Sequence, residues 1–264
     1  MSSNKTAIIT GAGSGIGLAT AHMLREKGYT VYNLSRHPAE NEKNNFIFAD
    51  VSDSATVKAA VEQVISASGR IDLLVTSAGM GVSGAVEFID EEEMKRQFDV
   101  NLFGTINTVK AVLPQMRKQK EGKIICISSV AAVYSIPFQA YYSASKAAVN
   151  SFVDALTNEV KSFGIEAASV MPGDISTGFT AARSKTNAGD DVYSGVIGSA
   201  VSAMEKDEKN GMTPDSVAKL VVKLAEKKHV SPLYTAGLQY KTLVFLSRIF
   251  PHKLAVKIVG GMYK

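Results

Sequence analysis

The sequence predicts an α/β fold, a doubly wound parallel sheet of about seven strands, built as a single domain over residues 1–264. Two observations carry this reading. Short apolar runs rich in β-branched residues alternate with helical patterns along the whole chain, which argues for a parallel sheet covered by helices on both faces. The first of those runs opens through a glycine-rich turn directly into a helix.

The strands are expected at Thr6 to Thr10, Thr30 to Leu34, Phe46 to Phe48, Ile71 to Thr76, Lys123 to Ser128, Glu166 to Val170 and Leu233 to Thr235. A first helix runs to Lys27 and is stopped by Gly28. Further helices are expected at Ser54 to Ser68, at Glu91 to about Met116, at Tyr141 to Phe163 with Gly164 behind it, and from Thr213-Pro214 to Lys228. Residues 178–212 are polar and glycine-containing between two well-marked elements, so they read as a mobile lid with a short helix near Tyr193 to Met204. Residues 238–264 form a C-terminal extension.

Composition excludes several classes. Hydrophobic residues at 45% and charged residues at 20% belong to a globular protein rather than a disordered one. The polar start Met1-Ser2-Ser3-Asn4-Lys5 leads at once into a strand, so no signal peptide is expected, and no apolar run is long enough to span a bilayer. Cys126 is the only cysteine and sits in the apolar strand Ile124-Ile125-Cys126-Ile127, where a buried inert thiol and a cytoplasmic protein are expected. Four scattered histidines without ligand spacing make a metal site improbable. The extension holds five bases and no acid, against 24 bases and 25 acids in the rest of the chain. The basic balance therefore belongs to the tail and gives no warrant for nucleic-acid binding.

The first turn reads Thr10-Gly11-Ala12-Gly13-Ser14-Gly15-Ile16-Gly17. Glycines let a backbone approach a pyrophosphate, and the amides at a helix start stabilise the anion. Ile16 stands where the last glycine of the common G-x-G-x-x-G would be, so the pattern is Thr-Gly-x-x-x-Gly-x-Gly, using Gly11, Gly15 and Gly17. In such sheets ligands collect at the carboxyl ends of the strands. Gly11, Asp50, Gly79, Ser129 and Pro172 each fall just after a strand.

Tyr142 and Lys146 lie four apart on a predicted helix, thirteen residues after Ser129, so phenol and ammonium share one face. Lowering a tyrosine from about 10 to about 7 takes roughly 4 kcal/mol, which one cation some 4 Å away supplies at an intermediate dielectric. Tyr141 is set aside, because four residues beyond it stands uncharged Ser145.

These motifs together resemble the short-chain dehydrogenase/reductase family, and the resemblance runs along nearly the whole chain. It is carried by the glycine turn, Asp50, Asn101 in Asn101-Leu102-Phe103-Gly104, Ser129, the Tyr142/Lys146 pair and Pro172-Gly173-Asp174-Ile175-Ser176-Thr177. One departure is Thr76-Ser77-Ala78-Gly79, where the family usually has Asn-Asn-Ala-Gly. The resemblance implies a Rossmann-type fold, a homodimer or homotetramer, and reversible hydride transfer between a nicotinamide and an alcohol or carbonyl carbon. It implies Tyr142 as general acid/base, Lys146 as the group that lowers its pKa and bonds the nicotinamide ribose, and Ser129 as hydrogen-bond donor to the substrate oxygen. Asn101 would hold a water linking Lys146 to solvent, Asp50 would bond the adenine amine and Thr177 the carboxamide. The remaining cofactor contacts fall on Ser14, Ile16, Val51, Ala78, Gly79, Pro172, Gly173 and Ile175.

After the second strand the acid that would bond a ribose 2′-hydroxyl is missing, and Ser35-Arg36 stands there instead. A guanidinium and a hydroxyl suit a 2′-phosphate, so NADP(H) is the expected cofactor. The apolar stretch Ala131 to Phe138 and Phe179 should border the substrate, which suggests a lipophilic small molecule such as a steroid, in keeping with a resemblance to the hydroxysteroid and retinol dehydrogenase branch. Reduction of a β-ketoacyl or small carbonyl compound is the alternative, and a non-catalytic NADP(H)-binding sensor is the alternative of another class. The basic, apolar tail reads either as a flap over the pocket, the preferred reading because Pro251 divides it into two short pieces, or as a peripheral membrane contact.

Overall fold

The computed structural model describes residues 5–39, 45–247 and 249–263. The polar N-terminal residues Met1 to Asn4 and the tail bases Arg248 and Lys264 lie outside them. The main sheet contains β1 (Thr6–Thr10), β2 (Thr30–Ser35), β3 (Phe46–Phe48) and β4 (Leu73–Thr76). After a short β5 (Val82–Ser83) it continues with β6 (Gly122–Ile127) and β7 (Ile165–Met171). A two-residue β8 (Ser184–Lys185) pairs only with β5, and β9 (Leu233–Thr235) closes the main sheet. All seven strands of that sheet are parallel, in the order β3-β2-β1-β4-β6-β7-β9. The order reverses between β1 and β4, so a crevice opens beyond their carboxyl ends.

Helices α1 (Gly15–Glu26), α2 (Ser54–Ser68), α3 (Glu91–Phe98), α4 (Gly104–Gln119) and α5 (Ala140–Val160) connect the strands. The short α6 (Phe179–Ala182) and α7 (Val196–Lys209) follow β7, α8 (Pro214–Glu226) precedes β9, and α9 (Leu238–Leu246) and α10 (His252–Met262) form the tail.

Strand alternation builds two cores. Ile8, Leu74, Ile124 and Cys126 point to the face covered by α2, α4 and α5, while Ile9, Leu73, Val75 and Ile125 point to the face covered by α1 and α8. Period-two geometry with apolar residues on both phases is what a sheet buried on both sides requires. Each such isoleucine or leucine, removed from water completely, contributes about 1.5–3 kcal/mol.

The helix expected from Glu91 to about Met116 is interrupted by a single π turn, Asp99–Phe103, between α3 and α4. Val149, Val153 and Leu156 of α5 pack into the core with Phe152 against it, so the apolar surplus of that helix is accounted for within one chain. In the 178–212 region the helix lies a few residues later than expected, at Val196–Lys209, and the β5/β8 pair and α6 add order that the polar composition hid.

Candidate active site

At the end of β1 the chain turns through Gly11, whose φ of +68° and whose absent Cβ, which would sit 2.8 Å from the Ala78 backbone, both require glycine. Thr10 Oγ1 accepts from the amides of Ser77 (3.1 Å) and Ala78 (3.2 Å), tying the two lips of the crevice together. That tie uses the main chain after β4, so Thr76-Ser77 serves at a place where the family carries asparagines. Gly17 lets α1 close onto the turn, since a Cβ there would lie 2.5 Å from the Gly11 carbonyl. Ser14 precedes α1 with an extended backbone and no capping bond of its own, leaving the positive end of the helix facing the crevice.

A cavity of about 750 Å³ opens from this turn. Its walls include Gly11, Ser14, Gly15, Ile16, Ser35, Arg36, Asp50, Val51, Ala78, Gly79, Ser129, Tyr142, Lys146, Pro172, Gly173, Ile175 and Thr177. Gly17 and Asn101 stand behind the wall. The glycine cradle, the open helix end and a cavity of this size suit a dinucleotide, and Asp50 and Arg36 stand at one end of that cavity.

At that end, Ser35 Oγ donates to the His37 carbonyl at 2.6 Å, which holds the loop, and the exposed Arg36 lines the rim with Arg96. Burial would raise the Asp50 carboxyl, but hydrogen bonds from the Ser52 hydroxyl (2.6 Å) and amide (3.0 Å), with Arg36 and Arg96 nearby, hold it below the usual range.

At the other end, α5 presents Tyr142 and Lys146 on one face, with the ammonium 5.8 Å from the phenol ring centre. Lys146 Nζ donates to the Ile127 carbonyl at 3.0 Å, and its burial lowers its pKa to about 8. Burial pushes the Tyr142 phenol up to about 12, opposed by a hydrogen bond with Ser129. The lowering expected from Lys146 is thus not supplied by the protein groups alone: desolvation outweighs it, and the ammonium is aimed at a carbonyl rather than at the phenol oxygen. Tyr141 points elsewhere, donating to the Val86 carbonyl at 3.1 Å, and of the two tyrosines Tyr142 is the one in the cavity wall.

Asn101 sits in the π turn, where such turns commonly displace a functional side chain. Its Oδ1 accepts from the Met80 amide (2.8 Å) and its Nδ2 donates to the Met80 carbonyl (3.0 Å) and to Ser145 Oγ (3.1 Å). Its side chain therefore supports the turn after Gly79.

Beyond Tyr142 the cavity wall becomes apolar. Phe179 lies 5.8 Å from the Tyr142 ring, and Ala131, Tyr134 and Ile136 continue the wall as expected, whereas Phe138 packs with α7 instead. Six wall residues, Tyr240, Leu243, Ile258, Val259, Met262 and Tyr263, come from the tail. Tyr240 of α9 lays its ring on Gly173, with ring atoms 2.1–2.3 Å from where a Cβ would be. Its hydroxyl donates to Asp174 Oδ2 at 2.7 Å and accepts from the Asp174 amide at 3.0 Å.

Sequence reasoning missed two acids in this half. Glu208 of α7 pairs with the buried Arg183 and accepts from Thr180 Oγ1 at 2.6 Å. Asp174 is raised by burial, with a hydrogen bond from Tyr240 opposing and the acids Glu208 and Asp207 adding to the rise. Glu208 and Asp174 both lie within range of Tyr142. Only the position of Asp174 next to Pro172-Gly173 could have marked it; Glu208 gives no local signal.

Comparison with known proteins agrees with this geometry. The short chain dehydrogenase family matches residues 5–188. A 3-ketodihydrosphingosine reductase of Bacteroides thetaiotaomicron is 45% identical over 225 residues, 84% of each chain. A probable short-chain type dehydrogenase/reductase, VdlC, of Helicobacter pylori is 34% identical over 93% of each. A short-chain dehydrogenase structure from Streptomyces avermitilis superposes with a TM-score of 0.80 at 26% identity, covering 94% of each chain. The chain belongs to the short-chain dehydrogenase/reductase family and is an oxidoreductase with a nicotinamide-binding fold. No helix among the described residues is long and apolar enough to cross a membrane, and no cluster of metal-ligating side chains occurs among them.

Proposed function

We propose that the protein is an NADP(H)-dependent reductase of a long-chain 2-amino-3-ketone, with Tyr142 as the proton donor. One observation carries this reading. A single cavity runs from the glycine turn past Ser129 and Tyr142 to an apolar wall, and its lining includes Asp174, a carboxyl bonded by the Tyr240 hydroxyl with the acids Glu208 and Asp207 near it. A hydrocarbon tail suits the wall, and a substrate ammonium would be a counter-charge for Asp174. The name of the Bacteroides relative supports the same class. A steroid would suit the wall equally but offers nothing to Asp174, so the amino ketone replaces it.

A nicotinamide nucleotide bound in the cavity would supply the hydride to the carbonyl carbon. Tyr142 gives its proton to the carbonyl oxygen, and Ser129 donates a hydrogen bond to that oxygen as charge develops. A phenol pushed up to about 12 is protonated at neutral pH, which suits reduction better than oxidation. Lys146 would hold the ribose and Thr177 and Ile175 the nicotinamide end, while Asn101 fixes the turn that carries Gly79. Ser35 and Arg36 select the 2′-phosphate. We place the enzyme in the cytoplasm, in keeping with its single buried thiol, which burial raises to about 11. Assembly as a homodimer or homotetramer rests on the family resemblance, and light scattering that showed a strict monomer at micromolar concentration would overturn it.

The test of substrate class compares 3-ketodihydrosphingosine with a ketone of equal chain length lacking the amine. Asp174→Asn should raise KM for the first by about ten-fold and leave the second nearly unchanged. Equal effects on both, or no turnover of either by the wild type, would overturn the reading.

A further inference from the structure

The tail helices are apolar on two sides. Tyr240 and Val244 of α9 and Val259 and Tyr263, on and just beyond α10, are buried against the body, each 9% exposed or less. On the other side Leu238, Phe245, Ile249, Phe250 and Val256 face solvent, with Leu238 at 81% and Phe245 and Ile249 at 61%. Nine of the fourteen large hydrophobic residues exposed among the described residues fall in this segment, which is about a tenth of the chain. Scattered exposed hydrophobics are ordinary in a folded protein, but a concentration of them marks a contact surface.

We propose that this outer face of α9 and α10 docks on the anionic surface of a lipid bilayer. The first argument is charge. Lys241, Lys253 and Lys257 are exposed among the apolar side chains, and the segment contains no acid. Apolar side chains rimmed by lysines, on helices too short to span, suit an interface carrying negative headgroups. A second copy of this chain packed face to face would set the same lysines against one another with no acid to answer them.

The second argument is continuity with the cavity. Leu243, Ile258 and Met262 of the same helices are 43%, 52% and 62% exposed and line the cavity wall. One apolar surface thus runs from the docking face to the neighbourhood of Tyr142, and a chain-bearing substrate could leave the bilayer and reach the site without crossing water. Flap and membrane contact, which the sequence posed as alternatives, become the inner and outer faces of the same helices. Docking does not depend on the substrate reading, since vesicle binding is measured without turnover.

The test is sedimentation of the full-length protein with vesicles of phosphatidylcholine alone and of phosphatidylcholine with phosphatidylglycerol, at low and raised salt. Binding to the anionic vesicles is expected, weakened by salt and by about five-fold for each lysine in Lys253→Gln and Lys257→Gln. The double variant Phe245→Glu/Ile249→Glu should lose at least about ten-fold, with melting temperature and nucleotide affinity unchanged. Val256→Glu, on the other helix, gives a second reading should that variant fold poorly. Wild type that ignores anionic vesicles, or glutamate variants that bind them as well as wild type, would overturn the proposal. A wild-type oligomer that the glutamate variants dissociate would also overturn it, by assigning the face to a second copy.

Discussion

Tyr240→Phe removes one oxygen from the latch between the tail and the strand that ends at Met171. In the structure that oxygen serves Asp174 twice, as donor to the carboxylate at 2.7 Å and as acceptor from the amide at 3.0 Å. The ring itself stays on Gly173, so packing is retained and the loss is one of hydrogen bonding. A bond to a charged acceptor is worth about 1.5–3 kcal/mol. At about 2–4 °C per kcal/mol for a chain of this size, the melting temperature should fall by roughly 3–12 °C. The Asp174 carboxyl, already raised by burial, also loses the bond that holds it down and orients it, so the KM for an amino ketone increases. Calorimetry and steady-state kinetics on the one variant measure both effects. Tyr234→Phe is the control, because that hydroxyl bonds Ser231 and Lys227, away from Asp174. A Tyr240→Phe protein that melts within about a degree of wild type, with unaltered KM, would refute the latch.

Two further outcomes follow from the site. Arg36→Ala should weaken NADPH binding by about ten- to a hundred-fold and leave NADH nearly unchanged, by direct titration; a wild type that prefers NADH would contradict the assignment of Ser35 and Arg36. Lys146, lowered to about 8 by burial, should lose its cation as pH rises through that value, so reduction falls above about pH 8 and Lys146→Arg, whose charge persists, removes the fall. Because its folded pKa lies below the unfolded one, the unfolded chain binds more protons between about 8 and the ordinary lysine range, and the Lys146 contribution to stability rises with pH across that window.

Much of the fold was legible because its signals are local. The strand runs, the glycine turn and the stops at Gly28 and Gly164 depend on neighbours in sequence, and they locate the seven strands and most helices within a residue or two. The Tyr142/Lys146 face was legible because four-residue spacing fixes it on any helix. The phenol's raised pKa was not, since it depends on how completely the surrounding walls exclude water. The π turn at Asn101 was hidden because one extra residue in a helix leaves the hydrophobic period almost intact. Glu208 and Tyr240 reach the site from segments 66 and 98 residues beyond Tyr142, and nothing in their own surroundings shows where α7 and α9 fold back. The tail was only half legible: its apolar and basic content is plain in the sequence, but which side chains turn inward is decided by Gly173 and Asp174.

The most direct measurement mixes NADPH-loaded protein with 3-ketodihydrosphingosine and follows a single turnover of the nucleotide, for wild type and for Tyr142→Phe. The account predicts rapid oxidation of one nucleotide per site by wild type, at least about a hundred-fold slowing in Tyr142→Phe, and equal NADPH affinity in both. A Tyr142→Phe protein that turns over at the wild-type rate, or a wild type that binds NADPH and leaves it unoxidised, would contradict it.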